Sequence, residues 1–250
     1  MIDRAVLLPT YNEELGIAKV IESIYSVDPD VKIFLADSST DRTPEIAESM
    51  GALVLKTEKR GKAYSVADAF RRIDAEKLIM LDADGTYPSD QIPTIFKMLD
   101  EYEVVLTSRI RGRIEPGAMP LINRFTNLFT SAYARIILNT NVTDVMSGMI
   151  GFRYNAYKNI EIKSNRFELE VEIITEVIGK RFKTAELAIR FGKRYGTPKI
   201  EWIDGFRILY YLTKRALPLL KRGAVGWKVD MYELERLISR KPNIHRSIEE

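Results

Sequence analysis

Leu78-Ile-Met-Leu-Asp82-Ala-Asp84-Gly-Thr-Tyr-Pro88 runs four apolar residues straight into two carboxylates, with a Gly and a Pro close behind. An apolar run of that length, closed by turn residues, predicts a buried strand of a parallel sheet. Asp82 and Asp84 then fall at its carboxyl end, where open α/β sheets bind their ligands. Two acids one residue apart repel each other unless a cation neutralises them. Carboxylate oxygens suit Mg²⁺ or Mn²⁺, ions that also grip the phosphates of a nucleotide. A solvent-facing turn is the plainer alternative for Asp-x-Asp, and the strand ahead of it favours the metal.

Outward from that strand, βα alternation continues in both directions. Upstream, residues 5–8 form an apolar strand, followed by a helix with Ile17, Val20, Ile21 and Ile24 at helical spacing. A second strand, 31–36, breaks at Asp37-Ser-Ser-Thr-Asp41-Arg-Thr-Pro44, where Pro44 opens a helix that Gly51 closes. A third strand at 52–55, a cationic loop at 56–62 and a helix at 63–72 complete the upstream part. Downstream come a helix at 91–99 and a fifth strand at 103–108. Such alternation predicts an α/β fold with a Rossmann-like, doubly wound, mostly parallel sheet. Past Arg109 the pattern changes: a loop at 111–117, an amphipathic helix at 120–138, a strand at 149–152, a helix at 168–178 and a strand at 184–189. A cationic loop at 190–199 leads to a second amphipathic helix at 202–220, and the charged tail from Lys228 reads as a docking helix. The expected organisation is one domain over residues 1–200 and a C-terminal helical extension over 201–250, packing on that domain or on a membrane surface.

At 250 residues the chain is long enough for a full core in one domain, with or without a small appendage. A net charge of +3 does not argue for nucleic acid, and none is expected as a partner. The lack of cysteine excludes disulfides, thiolate nucleophiles and Cys-based zinc sites. The single histidine, His245, lies in the polar tail, which argues against histidine catalysis. No run of 18 apolar residues exists and nothing ahead of the first strand reads as a signal peptide. The expectation is a cytoplasmic protein whose two amphipathic helices are candidates to lie peripherally on the cytosolic face of a membrane.

Five segments in order, Pro9-Thr-Tyr-Asn-Glu13, Asp37-Ser-Ser-Thr-Asp41, Asp82-Ala-Asp84, Thr107-Ser-Arg109 and Asp144-Val-Met-Ser-Gly148, resemble the successive motifs of family 2 glycosyltransferases of GT-A fold. Within that family the likeness points to dolichyl-phosphate mannose synthases and related polyprenyl-phosphate sugar transferases, across residues 4–200. The resemblance implies a nucleotide-sugar donor, inversion at the anomeric carbon and a polyprenyl phosphate acceptor. It implies that Asp82 and Asp84 hold a metal bridging the diphosphate, and that Pro9, Tyr11 and Glu13 wall the base and ribose. Some lipid-linked mannose synthases carry Gln where Thr86 stands here, so water replaces one metal ligand. Many relatives carry Arg where Ile150 stands.

Chemistry adds roles beside the resemblance. A carboxylate at Asp37 accepts from the imide of uracil or from N1–H and the amino group of guanine, whereas Asx capping describes Asp41 better. Lys59-Arg-Gly-Lys62 leads into a helix, so Gly61 and Lys62 are candidates to face a phosphate, against the alternative of a solvated charge run. A phosphomonoester acceptor is already an oxyanion and needs positive charge rather than a base. Arg109, Arg124, Arg153 and Arg194, with Ser147, are the candidates to hold it, and each Arg equally suits a structural ion pair. Asp144, Ser147 and Gly148 would line the junction of donor and acceptor. Asp84, Arg109 and Asp144 are the expected catalytic residues. The competing reading is a soluble or glycan hydroxyl acceptor, which needs a general base, and Asp144 or Glu172 would serve.

Overall fold

The computed structural model describes residues 1–57, 61–164, 168–195, 204–223 and 225–233. Four strands, β1 (Ile2–Thr10), β2 (Lys32–Asp37), β3 (Leu53–Lys56) and β4 (Ala75–Met80), pair in parallel in the order β3-β2-β1-β4. Between them run α1 (Ile17–Val27), α2 (Thr43–Ser49) and α3 (Lys62–Arg72), and α4 (Ile92–Met98) follows β4. Ala5, Val6, Leu7 and Leu8 are all fully buried because helices cover both faces of the sheet. Ala5 and Leu7 feed one core and Val6 and Leu8 the other. That double burial is why β1 reads as an apolar run instead of alternating.

The second half completes one eight-stranded sheet, β3-β2-β1-β4-β6-β5-β7-β8. Its elements are β5 (Val104–Ile114), α5 (Leu121–Leu138), β6 (Ile150–Arg153), α6 (Tyr154–Asn159), α7 (Leu169–Lys180), β7 (Thr184–Phe191), α8 (Asp204–Lys221) and β8 (Asp230–Glu233). β6 inserts antiparallel between β4 and β5, while β7 and β8 run parallel to their neighbours. Helix α8 lies along α5 and α7, joined by Tyr133 Oη to Thr213 Oγ1 (2.9 Å) and by Tyr211 Oη to Glu172 (2.7 Å).

Two sequence expectations need correction here. The loop expected from Arg111 begins as strand, because β5 resumes after an irregularity at 108–113 and Arg113 and Ile114 pair with Arg190 and Phe191. The tail expected as a helix from Lys228 forms β8 instead, where Tyr102 Oη donates to Asp230 (2.8 Å) and meets Tyr232 Oη (2.7 Å). The rest of that tail, with His245, lies outside the described residues, as do Lys59, Arg60, Thr197, Pro198 and Trp202. Helix α5 forms as expected and leaves its apolar face outward, packing on the core through Ala134, Leu138 and three polar residues. Asn127, Thr130 and Ser131 face the core, whereas Leu121, Ile122, Phe125, Leu128, Phe129 and Ile136 are exposed.

Candidate active site

The strand ends of β1 and β2 form one wall. Asp37 is buried and paired in register with Thr10, whose hydroxyl donates to Asp37 Oδ1 (2.8 Å). Ser39 adds its hydroxyl to Oδ1 (2.6 Å) and its N–H to Oδ2 (3.2 Å). Three donors fix this carboxylate and leave room for another on Oδ2. The loop carrying Pro9, Tyr11 and Glu13 is laced to the next one: Asn12, at a left-handed φ of 53°, donates its N–H to Ser39 Oγ (2.9 Å) and accepts from Thr40 N (2.8 Å). Asp41 accepts from Thr43 N (3.0 Å) and Thr43 Oγ1 (2.5 Å) at the start of α2. Burial alone would raise its pKa, but these donors hold it below the usual range.

Asp82 and Asp84 follow the end of β4, and each carries a cation. Lys62, the first residue of α3, donates to Asp82 Oδ1 and to Glu170 Oε1, both at 2.5 Å. The Arg194 guanidinium lies 2.6 Å from Asp84 Oδ2. Thr86 caps Asp84 Oδ1 through its N–H (3.0 Å) and hydroxyl (2.6 Å), so its role here is to fix that carboxylate. Residues 192–195 close over this loop, with Gly192 N donating to Thr86 O and Tyr195 N to Asp84 O, both at 2.7 Å. Gly85 turns at φ 78° beneath Tyr195, and a Cβ there would sit 2.3 Å from the ring. Gly148 presses on Asp82 so closely that a Cβ would lie 2.2 Å from Oδ2.

The third wall is a fork. Arg109 Nε and Nη2 grip the two oxygens of Asp144 at 2.8 and 2.9 Å, and the Arg109 N–H adds a bond at 3.0 Å. Nη2 also reaches Met146 O (2.8 Å), and the guanidinium carbon lies 5.3 Å above the Phe191 ring centre. Nη1 has no partner among the described residues. Burial would push Asp144 up, yet Arg109 holds it well below the usual carboxylate range, while the same pair raises the Arg109 pKa. Behind them Glu186, buried in β7, accepts from Thr143 N (2.8 Å) and Thr143 Oγ1 (2.7 Å), pinning the residue before Asp144. Burial raises the Glu186 pKa despite those donors. The Ser147 hydroxyl bonds Thr107 Oγ1 (2.6 Å), and Gly148 N donates to Tyr87 Oη (2.6 Å).

Residues 5–161, more than half of the chain, match the domain described as Glycosyl transferase family 2. The chain belongs to that family. The transferase is 33% identical over 220 residues to the low-salt glycan biosynthesis hexosyltransferase Agl6 of Haloferax volcanii, covering 85% of this chain and 53%, about half, of that relative. It is 32% identical over 205 residues to dolichyl-phosphate hexose transferase of the same organism, covering 81% and 89% of the two chains. Against dolichol-phosphate mannosyltransferase of Saccharomyces cerevisiae the identity is 24% over 247 residues, covering 89% and 90%. Glucosyl-3-phosphoglycerate synthase from Mycobacterium tuberculosis, solved with Mn²⁺ and UDP-glucose, superposes with a TM-score of 0.68 over 86% of this chain and 79% of that one, at 17% identity. That likeness is one of fold, GT-A.

The structure gathers most of the transferase's sequence-predicted site residues. Lys62, Asp82, Asp84, Arg109, Asp144, Ser147, Gly148 and Arg194 meet around the ends of β4 and β5, beside the wall formed by Asp37. Arg153 does not join them. It ends β6, which runs antiparallel to β4, so it lies opposite Lys77 at the far end of the sheet and donates to Leu99 O and Asp100 O. Glu172 is fully buried and accepts from Lys163 N (3.0 Å), Ser164 N (2.8 Å) and Tyr211, which ties a loop to two helices. Arg124 is exposed in the first turn of α5. Glu170 and Glu186 were missed, although each is an acid within an apolar element: Glu170 in a helix that buries Leu169, Val171, Ile173 and Ile174, and Glu186 in a strand reading Thr-Ala-Glu-Leu-Ala-Ile.

Proposed function

We propose that the transferase moves a hexose from a nucleotide-sugar to a polyprenyl phosphate, inverting the anomeric carbon. The pairing of Arg109 with Asp144 carries this reading. It commits Asp144 as the partner of a guanidinium, with a depressed pKa unsuited to a general base near neutral pH. Glu172, the other acid considered for activating a hydroxyl, is enclosed by its donors. A phosphate acceptor needs no base. It needs a fixed cation, and Arg109 is held by one edge with Nη1 left for an oxyanion. The names of relatives as dolichyl-phosphate hexose transferase and dolichol-phosphate mannosyltransferase support the same acceptor class.

Asp82 and Asp84 suit a divalent ion. They offer hard oxygens, and each already draws a cation to itself, Lys62 and Arg194. Among the described residues no cluster of three or more His, Cys, Asp or Glu is present, so diphosphate oxygens and water would complete the shell, a common arrangement for Mg²⁺. When bound, the ion offsets charge on the departing nucleoside diphosphate. Asp37, Tyr11 and Glu13 would hold the base and ribose, and Arg109 and Arg194 the acceptor phosphate. The exposed apolar face of α5 would follow the lipid chain at a membrane surface. No helix among the described residues is long and apolar enough to cross one.

The test is a radiolabelled donor panel of GDP-mannose, UDP-glucose and UDP-N-acetylglucosamine, each with Mn²⁺ and a short polyprenyl phosphate. Label should enter the lipid phase with one donor, and Asp84→Asn should lose most of that transfer while keeping its fold. Faster transfer to a free sugar than to the polyprenyl phosphate sinks the proposal.

A further inference from the structure

Lys62 is divided equally between two acids, and only one of them belongs to the metal pair. Glu170, at 8% exposure, sits in the first turn of α7 among buried Leu169, Val171 and Ile173. Placing a carboxylate there is costly without a matching partner. As a simple counter-ion it is redundant, because Asp82 already neutralises Lys62. The charges of Asp82, Lys62 and Glu170 therefore leave one negative charge in excess. A divalent ion taking Asp82 would draw it away from Lys62, since Oδ1 is the oxygen held by the ammonium. Without a second acid, that exchange would strand a half-buried ammonium beside a divalent cation.

We propose that Glu170 is a positioning residue that retains Lys62 when Asp82 turns to the metal, keeping the ammonium compensated and directed at the donor diphosphate. The inference rests on the metal reading of Asp82 and Asp84. Glu170 acts through Lys62, so its effect must vanish when Lys62 is gone.

Mn²⁺ binding, followed by the EPR signal of the free ion in the presence of UDP and, in parallel, GDP, tests this without any turnover. Glu170→Gln, which keeps the shape and removes the charge, should weaken Mn²⁺ binding by about tenfold or more, the usual effect of losing a partner behind a metal ligand. Lys62→Met should tighten Mn²⁺ binding measured without nucleotide, by releasing Asp82, and lose that gain with UDP or GDP present, because no ammonium meets the diphosphate. In the Lys62→Met background, Glu170→Gln should change nothing. A Glu170→Gln effect that survives in that background overturns the proposal, as does unchanged affinity in the single variant. If Glu170→Gln does not fold, Glu170→Asp repeats the cycle, since one methylene less withdraws the carboxylate from the ammonium. Wild-type protein that binds no Mn²⁺ with either nucleotide overturns the metal reading and this inference with it, whereas normal wild-type binding with a failed cycle overturns this inference alone.

Discussion

Arg109 and Asp144 show how one residue pair sets both stability and chemistry. Replacing Arg109 by Met leaves a buried carboxylate unpaired, at a cost of roughly 3–5 kcal/mol near neutral pH. With the guanidinium gone, burial dominates and lifts Asp144 above its ordinary value of 3.8. The penalty is then absent below that value and grows as pH rises through the shifted one. In the wild type the depressed pKa does the opposite, adding stability above 3.8 that is lost as pH falls through the lowered value. Urea midpoints of the two proteins should therefore converge on acidification, and a gap that stays constant with pH contradicts the assignment. Asp37→Ala should weaken nucleoside diphosphate binding by roughly 1.5–3 kcal/mol through loss of a charged acceptor, as read by calorimetry. The acids of the site were legible in sequence where they ended a strand, as Asp37 does, or followed one closely, as Asp82 and Asp84 do. Glu170 and Glu186 were not, because periodicity reports which face is buried and says nothing of which cation or amide waits there. Arg153 was misplaced for the converse reason: likeness to the family's cationic positions says nothing about which end of an antiparallel strand it occupies.

At the scale of elements, the parallel half was readable because each strand is an apolar run closed by turn residues, and each helix repeats its apolar positions every three or four residues. The extended β5, the short α6 and the β8 strand were not, since tertiary pairing with β7 and the Tyr102–Asp230 bond decide the two strands rather than local pattern. The segment linking α5 to β6 carries a sharp test. Gly148→Ala should push Asp82 aside and cut Mn²⁺ binding and transfer together, while the melting temperature falls by a few degrees at most, because the intrusion is against a side chain. Retained Mn²⁺ affinity would show that Asp82 and Gly148 are not locked as described.

For the whole molecule, the alternation of elements anticipated the sheet, whose two faces each carry a core. Helix α5 turns its apolar side outward, as the reading of an amphipathic helix at a membrane surface expects, with Phe125 and Phe129 stacked 6.5 Å apart and 67% and 54% exposed. Arg124 and Arg135 on α5 and Lys214 and Lys221 on α8 are exposed as well. Such a face predicts co-flotation with anionic liposomes at low salt, weakened by added salt and by a Phe125→Ser, Phe129→Ser pair, each phenyl group contributing about 1.5–3 kcal/mol if fully buried. Protein that stays unbound at low salt rules the surface out as a membrane contact. The antiparallel β6 has a consequence for how the enzyme is made. Its place lies between β4 and β5, both of which leave the ribosome before it does. The first four strands pair among themselves and can collapse early, whereas β5 is not joined to them until residues 150–153 arrive. Asp82 and Asp84 are therefore synthesised well ahead of Glu170 and Arg194, and a nascent chain arrested before β6 holds Asp82 beside Lys62 while Asp84 still lacks its guanidinium and Lys62 its second acid.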